Sequence, residues 1–304
     1  MKTLLKAFFM VLFISYCFSV YAQDRNWDDL NERVTTLYQQ ERYQEAVETA
    51  KEALEIAEKT FSSDHPNYAT SLNNLAEIYR AQNKYEEAEP LYKKALEIYE
   101  KALGPEHTSI ATSLNNLAEL YRAEDKYEEA EPLYKKALEM YEKTLGSDNP
   151  NVAACLNNLA LLYMTRGKYS ESESLYEKTL AIYEKISGPE DPDVAMSLNS
   201  LAELYRTQCK YEEAEPLYKR AMSILEKKFG PDDVNVAILL NNLGLLYYSQ
   251  AKYDQAEPLY LRALSILEKE LGPDHPNVKK ILENINSLYY VQGKYMPSKY
   301  MPKQ

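Results

Sequence analysis

The sequence runs to 304 residues, 27% charged and 45% hydrophobic, a balance that excludes wholesale disorder and allows one large or two average domains. Its 35 basic and 47 acidic residues leave a formal net charge of −12, which argues against a nucleic acid or an anionic membrane surface as partner. With only 8 Gly, against 28 Tyr, 6 Phe and 1 Trp, the chain has few places for phosphate-cradling loops or tight hairpins.

Lys2 and Lys6 open the chain, an apolar stretch runs from Ala7 to Val20, and Val20-Tyr21-Ala22 precedes a charged segment. That order predicts a secretory signal peptide over residues 1–22, cleaved after Ala22, and an exported protein, periplasmic or secreted. The apolar stretch spans roughly 21 Å as a helix, short of the ~30 Å hydrocarbon core, so no stable membrane insertion is expected after cleavage. Tyr16 before Cys17 is too large for a lipid-attachment site. Cleavage removes two lysines and no acids, so the remaining chain is more acidic still. Cys155 and Cys209 remain in an oxidising compartment. One falls near a helix start and the other in the turn after the equivalent helix, about 18 Å apart along the axis, so a disulfide between them is not expected.

From Arg42-Tyr43 onward a basic residue followed by Tyr recurs at Lys84, Lys126, Lys168, Lys210, Lys252 and Lys294, always 42 residues apart. A fixed period of this size predicts a stacked repeat array. In the unit from Asn67 to Thr108, Ala69, Leu72, Leu75, Ala76 and Tyr79 mark one face of a first helix. Tyr85, Ala88, Leu91, Tyr92, Ala95, Leu96, Ile98 and Tyr99 mark the wider face of a second, which touches neighbours on two sides. Ala81-Gln82-Asn83 forms the turn between them, with Gly167 and Gly293 at or beside the same position later.

Gly104, Gly146, Gly188, Gly230 and Gly272 are expected to close the second helices in a left-handed conformation. His65, His107, Asn149, Asp191, Asp233 and His275 share one register as helix caps, and Pro66, Pro150, Pro192 and Pro276 follow as first helical residues. Gly244 stands where other repeats have Ala76, Ala118, Ala160 and Ala202, a place for a small side chain in a close helix contact. Pro90, Pro132, Pro216 and Pro258 fall inside the second helices and are read as mild kinks, with a hinge as the functional alternative.

No catalytic residues, metal site or cofactor are predicted. The three His lie at capping positions, and the pairs Glu86-Glu87, Glu128-Glu129 and Glu212-Glu213 recur on the first turn of a helix, where negative charge meets the positive dipole end. Neither Gly-x-Gly-x-x-Gly nor Gly-x4-Gly-Lys occurs.

Leu75, Ala76, Tyr79, Ala88, Tyr92 and Ala95 with their counterparts resemble the tetratricopeptide pattern of large, small and aromatic positions. The 42-residue unit, with Leu114-Asn115-Asn116-Leu117-Ala118 and Tyr127 to Tyr134, is similar to the longer variant of the kinesin light chain. The resemblance implies an all-α, right-handed superhelical solenoid of antiparallel helix pairs over residues 23–295. Six units, the first degenerate with Ala50 at the Tyr92 position, are followed by a polar capping helix bearing Lys279, Lys280, Glu283 and Asn286, then a flexible tail at 296–304.

The same resemblance implies that first helices line a concave face, whose exposed positions are those of Asn73, Glu77, Arg80 and Ala81. Asn73, Asn115, Asn157, Asn199 and Asn241 then form a ladder able to clamp a peptide backbone, as the resembling asparagines of the kinesin light chain do. The alternative is that these amides solvate the groove or bond within the array. Arg80, Arg122 and Arg206 are expected to attract acidic groups, although Glu77, Glu119 and Glu203 three residues earlier can neutralise them. Leu161 and Met164 in repeat four, and Leu245 and Tyr248 in repeat six, offer an apolar anchor. The expected function is non-catalytic adaptor or scaffold, binding a protein or peptide segment with acidic and apolar residues. The alternative is a purely structural, self-assembling scaffold; oligomeric state stays open.

Overall fold

The computed structural model describes residues 26–294 and residue 297, and all their regular structure is helical. The signal peptide expected at 1–22 lies outside the described residues, as does the tail at 296–304 apart from Pro297. The chain divides into two compact units, Met1–Gly146 and Ser147–Gln304. The first holds α1 (26–39), α2 (Tyr43–Phe61), α3 (Pro66–Ala81), α4 (Tyr85–Leu103), α5 (Thr108–Ala123) and α6 (Tyr127–Leu145). The second holds α7 (Pro150–Thr165), α8 (Tyr169–Ser187), α9 (Pro192–Thr207), α10 (Tyr211–Phe229), α11 (Val234–Ser249), α12 (Tyr253–Leu271) and α13 (Pro276–Val291). Each unit is a right-handed solenoid stretch of paired antiparallel helices.

From α3 onward the first helix of a pair has 16 residues and the second 19, and the boundaries follow from local chemistry. The side chains of His65, His107, Asn149, Asp191, Asp233 and His275 each accept a hydrogen bond from the backbone N–H two residues on, at 2.8–3.2 Å. These are the expected caps. The turn between paired helices places Glu41, Asn83, Asp125, Gly167, Cys209, Ala251 and Gly293 at φ of 56–71°, so the left-handed residue recurs every 42 positions whatever its identity. Gly167 and Gly293 are at this position, not beside it.

The residue closing each second helix differs from expectation. Gly104, Gly146, Gly188, Gly230 and Gly272 have φ of 80–94° with ψ of 158–167°, an extended mirror-image conformation instead of the left-handed helical one. It turns the chain away at once into the next cap, and is nearly exclusive to glycine. Ser62 occupies the same position with φ 87° and ψ 160°. Ser62→Gly is therefore expected to stabilise the first unit by about 1 kcal/mol by relieving that strain. An unchanged or lowered urea midpoint would contradict this.

The core repeats with the helices. Tyr92, Tyr134, Tyr218 and Tyr260 are fully buried, each flanked by small residues such as Ala88, Ala130, Ala214 and Ala256. Gly244 is the close contact expected of it: a Cβ there would lie 2.6 Å from Cε1 of Tyr260. The prolines Pro90, Pro132, Pro216 and Pro258 sit inside helices that continue through them. Cys155 is buried and Cys209 exposed, both as free thiols.

Neighbouring pairs are stapled by side chains that the sequence reading left unassigned. In the first unit the Tyr121 hydroxyl donates to Glu89 at 2.8 Å. In the second, Tyr205, Tyr247 and Tyr289 donate in the same way to Glu173, Glu215 and Glu257 at 2.7–2.9 Å. Burial, then the bond to Glu173, pushes the Tyr205 hydroxyl up to about 12, so it stays a donor into the alkaline range. Lys84, Lys126, Lys168, Lys210 and Lys252 stand 5.0–5.8 Å over the rings of Tyr79, Tyr121, Tyr163, Tyr205 and Tyr247.

Candidate peptide-binding face

The face in question is that of the first helices, α3 and α5 in the first unit and α7, α9, α11 and α13 in the second. In α3, Glu77 accepts from Arg80 Nε at 2.9 Å, from the Tyr92 hydroxyl of the paired helix at 2.7 Å, and from Tyr38 of α1 at 2.7 Å. Burial opposes the charge of Glu77, but these donors outweigh it and hold the carboxyl below its usual range. Glu119 is bound likewise by Arg122, at 3.2 and 3.0 Å, and by Tyr134. In α9, Glu203 takes Arg206 Nε at 3.0 Å and the Tyr218 hydroxyl at 2.8 Å.

Each of these repeats thus contains a closed, charge-neutral cluster of carboxylate, guanidinium and phenol. Arg80, Arg122 and Arg206, expected to attract acidic groups, each pair with the Glu three residues earlier. Their positive charge is already met by the carboxylate one turn back, and that carboxylate is fixed by a buried Tyr.

The asparagines of the expected ladder also make contacts within the array. Asn73 and Asn241 are only 9% and 7% exposed. Asn74 donates to Asn31 at 2.8 Å, Asn242 to Asn199 at 2.9 Å and Asn284 to Asn241 at 2.7 Å, so amides 43 residues apart bond between successive repeats. Asn73 itself donates to Ser113 at 2.8 Å. Asn115 and Asn157 are half-buried. For the amides they join, these contacts fit bonding within the array. Stacking brings residue n and residue n + 43 face to face, where these amides bond, although the buried Oδ1 of Asn73 has no hydrogen-bond partner.

Repeats four and six depart from the pattern. Leu161 and Leu245 stand at the Glu position, Met164 and Tyr248 at the Arg position, and all four are half-buried. Met164 packs against the Ala160, Tyr176, Leu201 and Leu204 cluster, and Leu245 and Tyr248 against the cluster containing Tyr260. Tyr260 keeps its place in repeat six without a carboxylate above it, and its buried hydroxyl has no hydrogen-bond partner.

Sequence reasoning missed this hydroxyl, although the signal was present: the buried Tyr persists at 260 where the Glu fifteen residues earlier has become Leu. It also missed Tyr290, 83% exposed on α13 and one period after Tyr248. α13, expected as a polar cap, carries exposed Lys279, Lys280, Glu283 and Asn286 but ends in the exposed apolar pair Tyr290 and Val291. Among the described residues no three His, Cys, Asp or Glu converge to hold a metal ion.

The tetratricopeptide repeat model matches residues 30–101, 109–185, 152–227, 193–269 and 235–295, which together span most of the chain. The chain belongs to the tetratricopeptide repeat family. No curated protein matches this tetratricopeptide repeat chain. Among solved structures, a putative kinesin light chain with nearly identical repeats from Podosopora anserina is 28% identical, covers 67% of this chain and 97% of its own, and superposes with a TM-score of 0.58. BtubC (BKLC) from P. vanneervenii is 21% identical over 90% of this chain and 95% of that one, with a TM-score of 0.59. PilF of Pseudomonas aeruginosa is 19% identical, covers 86% of this chain and 99% of its own, with a TM-score of 0.51. The last two likenesses establish the fold alone.

Proposed function

We propose that this tetratricopeptide repeat protein is a non-catalytic adaptor that binds a protein or peptide segment on the first-helix face, chiefly at repeats four and six of the second unit. The observation carrying this reading is the local lapse of the neutral cluster: Leu161, Met164, Leu245 and Tyr248 replace side chains that elsewhere satisfy one another. Such substitutions give up internal bonds and expose apolar surface, which suits an anchor side chain from a partner. The likeness to a putative kinesin light chain supports a protein partner in preference to a small molecule. The leader sequence supports an exported location, and among the described residues no helix is long and apolar enough to cross a membrane.

The test is crosslinking of the tagged chain to its partner, followed by an affinity measurement on that partner. The double variant Met164→Asp with Tyr248→Asp is expected to weaken binding at least about tenfold, since each buries a charge against the anchor. Unchanged affinity in a folded double variant would refute the assignment of this face.

A further inference from the structure

The buried Tyr hydroxyl is a donor in every repeat whose first helix carries Glu. Tyr92, Tyr134 and Tyr218 give their protons to Glu77, Glu119 and Glu203. In repeat six Leu245 removes the acceptor, Tyr248 removes the balancing guanidinium, and the Tyr260 hydroxyl is left buried and unpaired. Gly244 brings the ring in closer than any residue with a Cβ permits. Leaving such a donor unmet is costly, so an arrangement that keeps it calls for an acceptor from outside the fold.

We propose that Tyr260 is a recognition residue for an uncharged carbonyl oxygen of a bound peptide, a main-chain or amide group beside an aromatic or aliphatic side chain that lies on Leu245, Tyr248 and Tyr290. This rests on the peptide-binding reading above and specifies its ligand.

The choice of a neutral acceptor follows from charge. In repeats two, three and five the carboxylate at this place is balanced by Arg three residues on; repeat six has neither the carboxylate nor an Arg to balance one brought by a ligand. Arg206, the guanidinium nearest along the face in the preceding repeat, is committed to Glu203. A ligand carboxylate would enter an apolar site unpaired, in a chain already at −12, whereas a carbonyl meets one phenol donor without importing charge. Leu245 and Tyr248 are half-buried against the cluster that holds Tyr260, whose hydroxyl is sealed, so the proposal requires a side chain here to move as the ligand enters.

The probe is acetyl-Ala-Phe-Ala-amide, titrated into the full chain by NMR, alongside the two peptides in which Asp replaces either Ala. The neutral peptide is expected to bind, the Asp peptides about tenfold more weakly, and Tyr260→Phe to weaken the neutral peptide by about five- to tenfold. The variant Leu245→Glu with Tyr248→Arg rebuilds the cluster of the other repeats and keeps the fold, and is expected to abolish binding. Equal binding by wild type and Tyr260→Phe overturns the proposal, because the hydroxyl is then a buried cost or a water site. Tighter, Tyr260-dependent binding of an Asp peptide overturns the neutral acceptor. Either failure leaves the adaptor reading intact if Met164→Asp with Tyr248→Asp still releases the protein partner. If that variant fails while the peptide results hold, it is the adaptor reading that falls.

Discussion

Tyr218→Ala is expected to destabilise the second unit by about 4 kcal/mol, the largest single effect among these predictions. The ring is fully buried between paired helices, its removal opens a cavity that rigid neighbours do not fill, and its hydroxyl anchors Glu203. Tyr218→Phe keeps the packing and loses only the charge-assisted bond, about 1–2 kcal/mol. Urea denaturation followed by helical circular dichroism separates these. In a repeat array the loss can appear as a split transition as well as a lower midpoint. Tyr260→Phe provides the contrast, because its hydroxyl has no bond to lose: without ligand that variant is expected to be as stable as wild type or more so. A Tyr260→Phe cost equal to that of Tyr218→Phe would mean that the two hydroxyls have equivalent partners.

The second large effect is expected for Glu203→Leu, which copies the repeat-six residue into repeat five. It strands Arg206 and the Tyr218 hydroxyl together. A fully buried broken pair costs about 3–5 kcal/mol, but the Arg206 and Glu203 side chains are 24% and 31% exposed, so about 2 kcal/mol is the expected loss. Adding Arg206→Tyr completes the repeat-six pattern and removes the stranded cation, and the double variant is expected to recover about half of that loss. If the double variant is less stable than Glu203→Leu alone, Arg206 does more than balance Glu203, and the account of repeats four and six as a paired replacement is wrong.

The helices, their ends and their order were legible because each depends on contacts within a few residues and is stated again every 42 positions. His65 and Asp191 cap for the same reason in different letters, and the repetition exposes the role. The inner face was less legible. A recurring Asn fits a ladder that grips a ligand and one that bonds to itself, and the sequence does not show the alignment of successive repeats that brings Asn74 to Asn31 and Asn284 to Asn241. Arg80 and Glu77 were visible as neighbours on one turn, yet their closure by Tyr92 joins residues on two helices and appears in no periodicity of either. The glycines closing the second helices were found correctly, but their ψ depends on where the chain goes next. Tyr260 was hidden for a further reason: its significance lies in a partner its repeat lacks.

The most direct measurement replaces Tyr248 with the photoreactive residue p-benzoylphenylalanine in the full chain, and in a parallel sample replaces Lys219, exposed on the second helix of repeat five. If the first-helix face of the second unit receives the partner, irradiation yields a discrete protein adduct from position 248 and none from 219. Adducts from 219 alone, or from both positions equally, would contradict recognition on this face.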